Sequence, residues 1–141
     1  MHEFMSRFSI IHRQSSIALD RRLKADHITG SQYTHILVIC ENPGVSQEEI
    51  SDRLKIDKGS VARTVKQFER EGYVTRLTAA EDKRQYRIYP TDKARALYQK
   101  IHGIAVAAED RLTMGFTDIE REVLKNLLDK VAANLEAQVN A

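Results

Sequence analysis

The sequence predicts a mostly α-helical chain that carries one small β-hairpin. Three observations predict it: three helix starts marked by capping sequences, apolar residues at helical spacing behind them, and a pair of strand-like runs around a polar loop between residues 73 and 90. At 141 residues the chain has the length of one ordinary domain, enough to bury a core without disulfides or metal. A composition of 42% hydrophobic and 30% charged residues is that of a folded helical protein rather than a disordered tail.

The helix starts are Thr29 to Gln32 (TGSQ), Ser46 to Glu49 (SQEE) and Thr117 to Glu120 (TDIE). In each, a hydroxyl can accept from the third helical N–H while the Glu or Gln reaches back. Behind Thr29, Tyr33, Ile36, Leu37 and Cys40 share one face until Glu41-Asn42-Pro43-Gly44 stops the pattern. Val45 can then staple onto Ile50 and set the entry of a short helix whose buried stripe is Ile50 and Leu54.

That helix ends near Lys55, and Asp57 is a good N-cap for another that runs to Gly72. Val61, Val65 and Phe68 give it an apolar face. Lys58 opens it, Gly59, Arg63, Lys66, Gln67 and Arg70 lie opposite, and Ser60 and Thr64 flank them. Two helices joined by so few residues cross steeply, as in a helix-turn-helix. The second helix then exposes a slim, basic, hydrogen-bonding face suited to a major groove about 12 Å wide.

A basic outer face is by itself commonly just solvated, so the helix pair alone raises DNA binding only modestly above that reading. The next residues change the odds. Tyr73, Val74 and Leu77 favour a strand, residues 79–84 form a loop, and Gln85-Tyr86-Arg87-Ile88-Tyr89 alternates into a second strand closed by Pro90. A helix-turn-helix followed by such a hairpin is a winged helix. Charge agrees: net charge is only +2, but residues 53–95 carry twelve Lys or Arg against six Asp or Glu, leaving the rest of the chain acidic.

The run DKGSVARTVKQFEREGYVTRLTAAEDKRQYRIYPT resembles the core of the MarR family of bacterial transcription regulators. The resemblance rests on Asp-Lys-Gly at the start of the recognition helix, an aromatic residue and Glu before the closing Gly, and the Asp-x-Arg of EDKR, residues 81–84. It extends over nearly the whole chain, with a first helix near residues 6–26 and two long helices after the wing. Where the family often shows Leu-Thr-x-x-Gly, this chain has Pro90-Thr91-Asp92-Lys93-Ala94, in which Thr91 still caps the following helix.

The resemblance implies a winged helix-turn-helix flanked by dimerisation helices, with residues 1–28 and 91–141 for dimerisation and 29–90 for DNA binding. Arg84 would enter the minor groove from the wing tip, oriented by an ion pair with Asp82. Lys83 and Arg87 are candidates for phosphate contacts, which position a protein without reading sequence. The bland reading of Asp82 and Arg84 is an exposed salt bridge contributing about 0–1 kcal/mol. The resemblance also implies repression relieved by a small aromatic or phenolic effector, with Phe8, Ile11, His12, Ser15, His35 and Ile39 as candidate pocket residues, and it implies no cofactor.

The terminal helices bear on assembly. The last one carries Ile119, Val123 and Leu127 beside a second stripe of Leu124, Leu128, Val131 and Leu135. One stripe is enough to pack on its own domain, so the second predicts a partner, an identical chain, rather than a helix buried within one monomer. Ile10, Ile11, Ile17 and Leu23 of the first helix would join it. A twofold dimer sets two recognition helices about 34 Å apart on a near-palindromic operator. Gly103, inside a helix, marks either a kink or a close helix contact.

Other classes fit less well. No apolar run reaches the roughly 18 residues of a membrane span, and the start MHEFMSRFSIIHRQ lacks the features of a secretory signal. With the single Cys40, best read as a core residue on the Tyr33 stripe, this predicts a cytoplasmic location. The five histidines lack close ligand spacing, so no metal site is expected. No catalytic motif is evident, and an enzyme is not expected. The remaining rival is a winged-helix interaction module that binds protein or RNA.

Arg84→Ala is expected to weaken specific operator binding strongly while leaving the dimer intact. Lys66→Ala should weaken all duplexes evenly, and changes at Arg63 or Gln67 should alter sequence preference. Equilibrium binding to operator and scrambled duplexes measures all three.

Overall fold

A computed structural model of the chain describes residues 2–30, 32–81 and 85–141. In chain order it contains α1 (Glu3–Leu23), α2 (Tyr33–Glu41), α3 (Gln47–Leu54), α4 (Lys58–Arg70), β1 (Val74–Thr78), β2 (Tyr86–Pro90), α5 (Asp92–Leu112) and α6 (Asp118–Val139). The chain divides into two compact units, residues 1–104 and 105–141.

The first unit contains the helix-turn-helix and hairpin predicted from sequence. Apolar residues from α2 (Ile36, Ile39), α3 (Ile50), α4 (Val61, Val65, Phe68), β2 (Ile88) and α5 (Leu97, Ile101) meet in one buried cluster with Leu23 from the end of α1. Phe68 is fully buried, with His35 and Tyr73 edge-on at centroid distances of 6.4 and 5.6 Å. Burying a side chain of that size stabilises by about 1.5–3 kcal/mol, which is ample to hold one face of α4 inward.

Local signals set the element boundaries at most positions. Ser46 and Glu49 form the expected reciprocal capping box, as do Thr117 and Glu120. Asp57 caps α4. Gly72, at φ +80, ends the turn after α4 in a left-handed conformation that glycine adopts without a Cβ penalty. The Thr91 hydroxyl accepts the Ala94 N–H at 3.3 Å and caps α5.

The helix expected from Thr29 begins later, at Tyr33. Half of that capping box is present, since Gln32 Oε1 accepts the Thr29 N–H at 3.2 Å. Long-range packing delays the helix: the Gly30 amide donates to the Asp20 carboxylate of α1. A Cβ at Gly30 would lie 2.8 Å from Asp20 Oδ1 and 3.3 Å from the Ser16 carbonyl, so the chain is drawn against α1 before it turns into α2.

β1 and β2 pair antiparallel from Val74 opposite Pro90 to Thr78 opposite Tyr86. A third extended contact was not evident in the sequence. Val45, expected only to staple onto α3, also bridges Ile88 through two backbone hydrogen bonds, Gly44 N–H to Ile88 O at 2.8 Å and Ile88 N–H to Val45 O at 2.9 Å. Thus β2 is bonded on one edge to β1 and on the other to the α2–α3 connection. Cys40 is half-buried against the core, and its thiol donates to the Ala94 carbonyl at 3.7 Å. Burial pushes this thiol up from its ordinary value, so the reactive thiolate is disfavoured.

In the second unit, the last turns of α5 lead through Gly115, at φ +84, into α6. Arg121 and Asp110 pair at 3.7 Å across that turn. No residue of α6 is buried. No helix of the described residues is long and apolar enough to cross a membrane.

Gly103 lies in continuous α5, and a Cβ built there meets nothing within 4 Å, so no close helix contact among the described residues requires glycine. Gly103→Ala should therefore raise stability by about 1 kcal/mol through helix propensity alone, measured as an upward shift in the thermal unfolding midpoint.

Candidate nucleic-acid interface

α4 is positioned from both ends and from beneath. Beneath it, Val61, Val65 and Phe68 are buried. This turns Lys58, Gly59, Arg63, Lys66 and Arg70 outward as exposed residues, with Ser60, Thr64 and Gln67 half-buried at the flanks. The helix therefore displays the face that its sequence periodicity indicated.

At its start, one carboxylate organises the first turn. Asp57 Oδ2 accepts the Ser60 N–H at 2.9 Å, and Oδ1 accepts the Ser60 hydroxyl at 2.6 Å. Arg63 Nη2 in turn donates to Ser60 Oγ at 3.0 Å. The Ser60 hydroxyl, then the Ser60 amide, with a further contribution from Arg63, hold the Asp57 carboxyl below its ordinary range. A Cβ at Gly59 would sit 3.3 Å from Asp57 Oδ2 and 3.4 Å from Arg63 Nη1, the first a tight contact and the second an ordinary one. Lys58 pairs with Glu48 of α3 at 3.6 Å.

Further along, Gln67 is tied at both ends of its amide. Its Oε1 accepts from Gln32 Nε2 at 3.2 Å, and its Nε2 donates to Glu71 Oε1 at 3.0 Å. The side chain expected to reach bases thus braces α4 against the start of α2.

At the end of α4, Lys93 Nζ donates to the Glu71 carbonyl at 2.7 Å while lying 4.4 Å from the Tyr73 ring centroid. Tyr73 donates its hydroxyl to the Asp26 carbonyl at 3.2 Å. Burial, with Asp26 and Glu71 adding, pushes that phenol up from its ordinary value.

The hairpin is fixed to α4 by a pair that sequence reasoning missed. Arg76 of β1 donates from Nε and Nη2 to the two carboxylate oxygens of Glu69, at 3.0 and 2.9 Å, and stacks 4.9 Å from the Tyr86 ring centroid. Bidentate geometry of this kind fixes orientation as well as distance. These two residues lie seven apart across a turn, a separation that neither helical nor strand periodicity brings together. Arg76 donation holds the Glu69 carboxyl below its ordinary value.

In the wing, Arg87 is exposed but engaged: Nη1 donates to the Gly44 carbonyl at 3.3 Å and Nη2 lies 3.5 Å from Glu81 Oε2. Asp82, Lys83 and Arg84 lie outside the described residues. The candidate effector residues fall into two sets. Phe8, Ile11, His12 and Ser15 are exposed on α1, whereas His35 and Ile39 of α2 are only 3% and 0% exposed. Among the described residues, no group of His, Cys, Asp or Glu is arranged to hold a metal ion.

Comparison with known proteins agrees with this geometry. The MarR family model matches residues 28–85, the span from the approach to α2 to the residue before β2. An uncharacterized HTH-type transcriptional regulator, YybA of Bacillus subtilis, is 27% identical over 136 residues, covering 96% of this chain and 91% of that protein. Among solved structures, a MarR protein from Peptoclostridium difficile is 30% identical with a TM-score of 0.92, over 96% of this chain and 88% of that one. A MarR family transcriptional regulator from Listeria monocytogenes, complexed with a 26-mer DNA, is 27% identical with a TM-score of 0.90, over 98% of this chain and 92% of that one.

The Glu69–Arg76 pair generates a pH prediction. Because the folded carboxyl titrates below its ordinary value of 4.5, its contribution is fully present above that value and is lost as pH falls through the lower folded one. Glu69→Gln should cost about 0.5–1 kcal/mol at neutral pH. In urea titrations the gap from the parent protein should close as pH drops below 4.5.

Proposed function

The chain belongs to the MarR family of transcription regulators, which are not enzymes, and on that premise we propose that it is a repressor that binds a near-palindromic DNA operator as a homodimer. The observation that carries this reading is the two-sidedness of α4. Its apolar face is buried, and its basic, hydrogen-bonding face is exposed, as on a helix that enters the major groove. The Listeria structure, which shares this fold and is complexed with a 26-mer DNA, supports DNA binding.

In this reading Arg63 meets base edges, while Lys58, Lys66 and Arg70 neutralise phosphates and set register. Gly59 allows close approach, and Thr64 borders the contact. The wing contributes Asp82, Lys83 and Arg84, with Arg84 in the minor groove. Arg87 exchanges its Glu81 partner for a phosphate or braces the wing through Gly44. Gln67 sets the position of α4 through Gln32 and Glu71. Residues 29–90 form the DNA-binding part.

Assembly follows from surface that the monomer leaves uncovered. On α6, Ile119, Val123, Leu127, Leu128 and Leu135 are exposed, and on α1 so are Phe4, Met5, Ile10, Ile11 and Ile17. Soluble monomers rarely expose apolar surface of this extent, and a second copy of the chain covers it most simply. A small aromatic or phenolic effector would act at the α1 side, where Phe8, Ile11, His12 and Ser15 are accessible. His35 and Ile39 would meet it only after the core opens around them.

Fluorescence anisotropy on duplexes from upstream of the protein's own gene, against scrambled duplexes over a salt series, tests the function. A specificity ratio of about 10³ or more and a steep loss of affinity with salt are expected. Equal affinity for scrambled duplexes, or tighter binding to single-stranded RNA, would instead favour an interaction module. Leu127→Asp combined with Leu128→Asp should convert a dimer to a monomer in sedimentation analysis and weaken operator binding by about 100-fold or more, since one half-site is lost.

A further inference from the structure

A serine hydroxyl has one proton to donate and two lone pairs to accept with. At Ser60 these roles are assigned by the neighbours. Asp57, an ionised carboxylate, only accepts, so the Ser60 proton points to Asp57 Oδ1 at 2.6 Å. The oxygen then offers a lone pair to Arg63, whose Nη2 stands 3.0 Å away.

The carboxylate is itself immobilised, because its second oxygen caps the helix through the Ser60 amide at 2.9 Å. Helix backbone fixes carboxylate, carboxylate fixes hydroxyl, and hydroxyl fixes guanidinium. A Cβ at Gly59 would lie 3.3 Å from Asp57 Oδ2, the tighter of its contacts, and in ordinary contact with Arg63 Nη1 at 3.4 Å. An exposed arginine without such a chain samples many rotamers, and ordering it opposes binding. Ser60 takes one of the five N–H groups that the guanidinium fork carries.

We infer that Ser60 and Asp57 are positioning residues that act through Arg63, setting the direction of its guanidinium at the groove-facing start of α4 and so the base pair it discriminates. In this arrangement Ser60, on the flank of the exposed face, acts through Arg63. This rests on the reading that α4 enters the major groove.

The test begins with duplexes selected from a random library by the parent protein, followed by affinities for every single-base variant of the selected site. Arg63→Ala identifies the base pair that Arg63 reads as the position where preference is lost. Ser60→Ala keeps the backbone N–H that Asp57 caps and introduces a better helix former, so the fold persists. It should reduce preference at that same position by about five-fold or more, with affinity for scrambled duplex unchanged. Ser60→Thr, which keeps the hydroxyl, should restore the preference. In an Arg63→Ala background, Ser60→Ala should change nothing further. Asp57→Asn, which still caps, should lower preference at the same base pair.

A uniform loss across all duplexes on Ser60→Ala would make Ser60 a phosphate contact and overturn the inference. So would an effect that persists without Arg63, or no effect at all. If the parent protein selects no preferred duplex, the DNA-binding reading fails first and the inference falls with it.

Discussion

The anchoring of Phe68 beneath α4 is the constraint on which the rest depends. A helix that presents one face to a partner must be gripped through the other, and the grip must lie far enough along the helix to prevent rolling. Phe68, fully buried between His35 and Tyr73, supplies it near the C-terminal end, and Val61 and Val65 extend the contact toward the N-terminus. Rotating α4 by one residue position would bring Glu69 toward the core and expose Phe68, so hydrophobic burial fixes its rotation about its own axis.

Burial alone is non-directional, however, and does not fix where the hairpin lies relative to α4. Polar contacts around the rim do that. Glu69 and Arg76 lock β1 to the last turn of the helix, and Tyr86 of β2 covers the guanidinium. Lys93 holds the final carbonyl region, while the Thr91 hydroxyl lies 2.6 Å from the Gly72 carbonyl and 3.0 Å from that of Tyr73. Gln32, Gln67 and Glu71 brace the side toward α2. Each is modest in energy, but each is directional, and together they tie the strands β1 and β2 to the end of α4. A wing at a defined distance from the helix can engage the backbone on either side of a groove, whereas a loosely attached one cannot.

The second unit follows a different logic. α6 has strong local signals, including a complete capping box, yet buries none of its residues within the chain. Its apolar stripes are a surface in search of cover. In the homodimer proposed above such a helix would gain its cover on assembly, and the stability of this segment would then depend on protein concentration.

Much of this was legible in the sequence because it is local. Asp57, Ser46 and Thr117 mark helix starts through contacts spanning three residues, and the spacing of Val61, Val65 and Phe68 gives the buried side of α4; both depend only on helical geometry. The same geometry made Arg63 and Lys66 outward-facing from sequence alone. Tertiary structure decided the rest. It delayed α2 to Tyr33, because Gly30 is held by Asp20 ten residues earlier. It joined Val45 to Ile88, Glu69 to Arg76 and Gln67 to Gln32, pairings set by how distant segments meet. It also gave Gln67 two partners within the chain, Gln32 and Glu71, because a periodic pattern tells which way a residue faces but not which neighbour reaches it first. The sequence by itself determined which helices form and which of their faces are buried, since those follow from backbone repeat and side-chain polarity. Only the tertiary structure decided which polar side chains are committed to holding the fold and which remain to meet a partner.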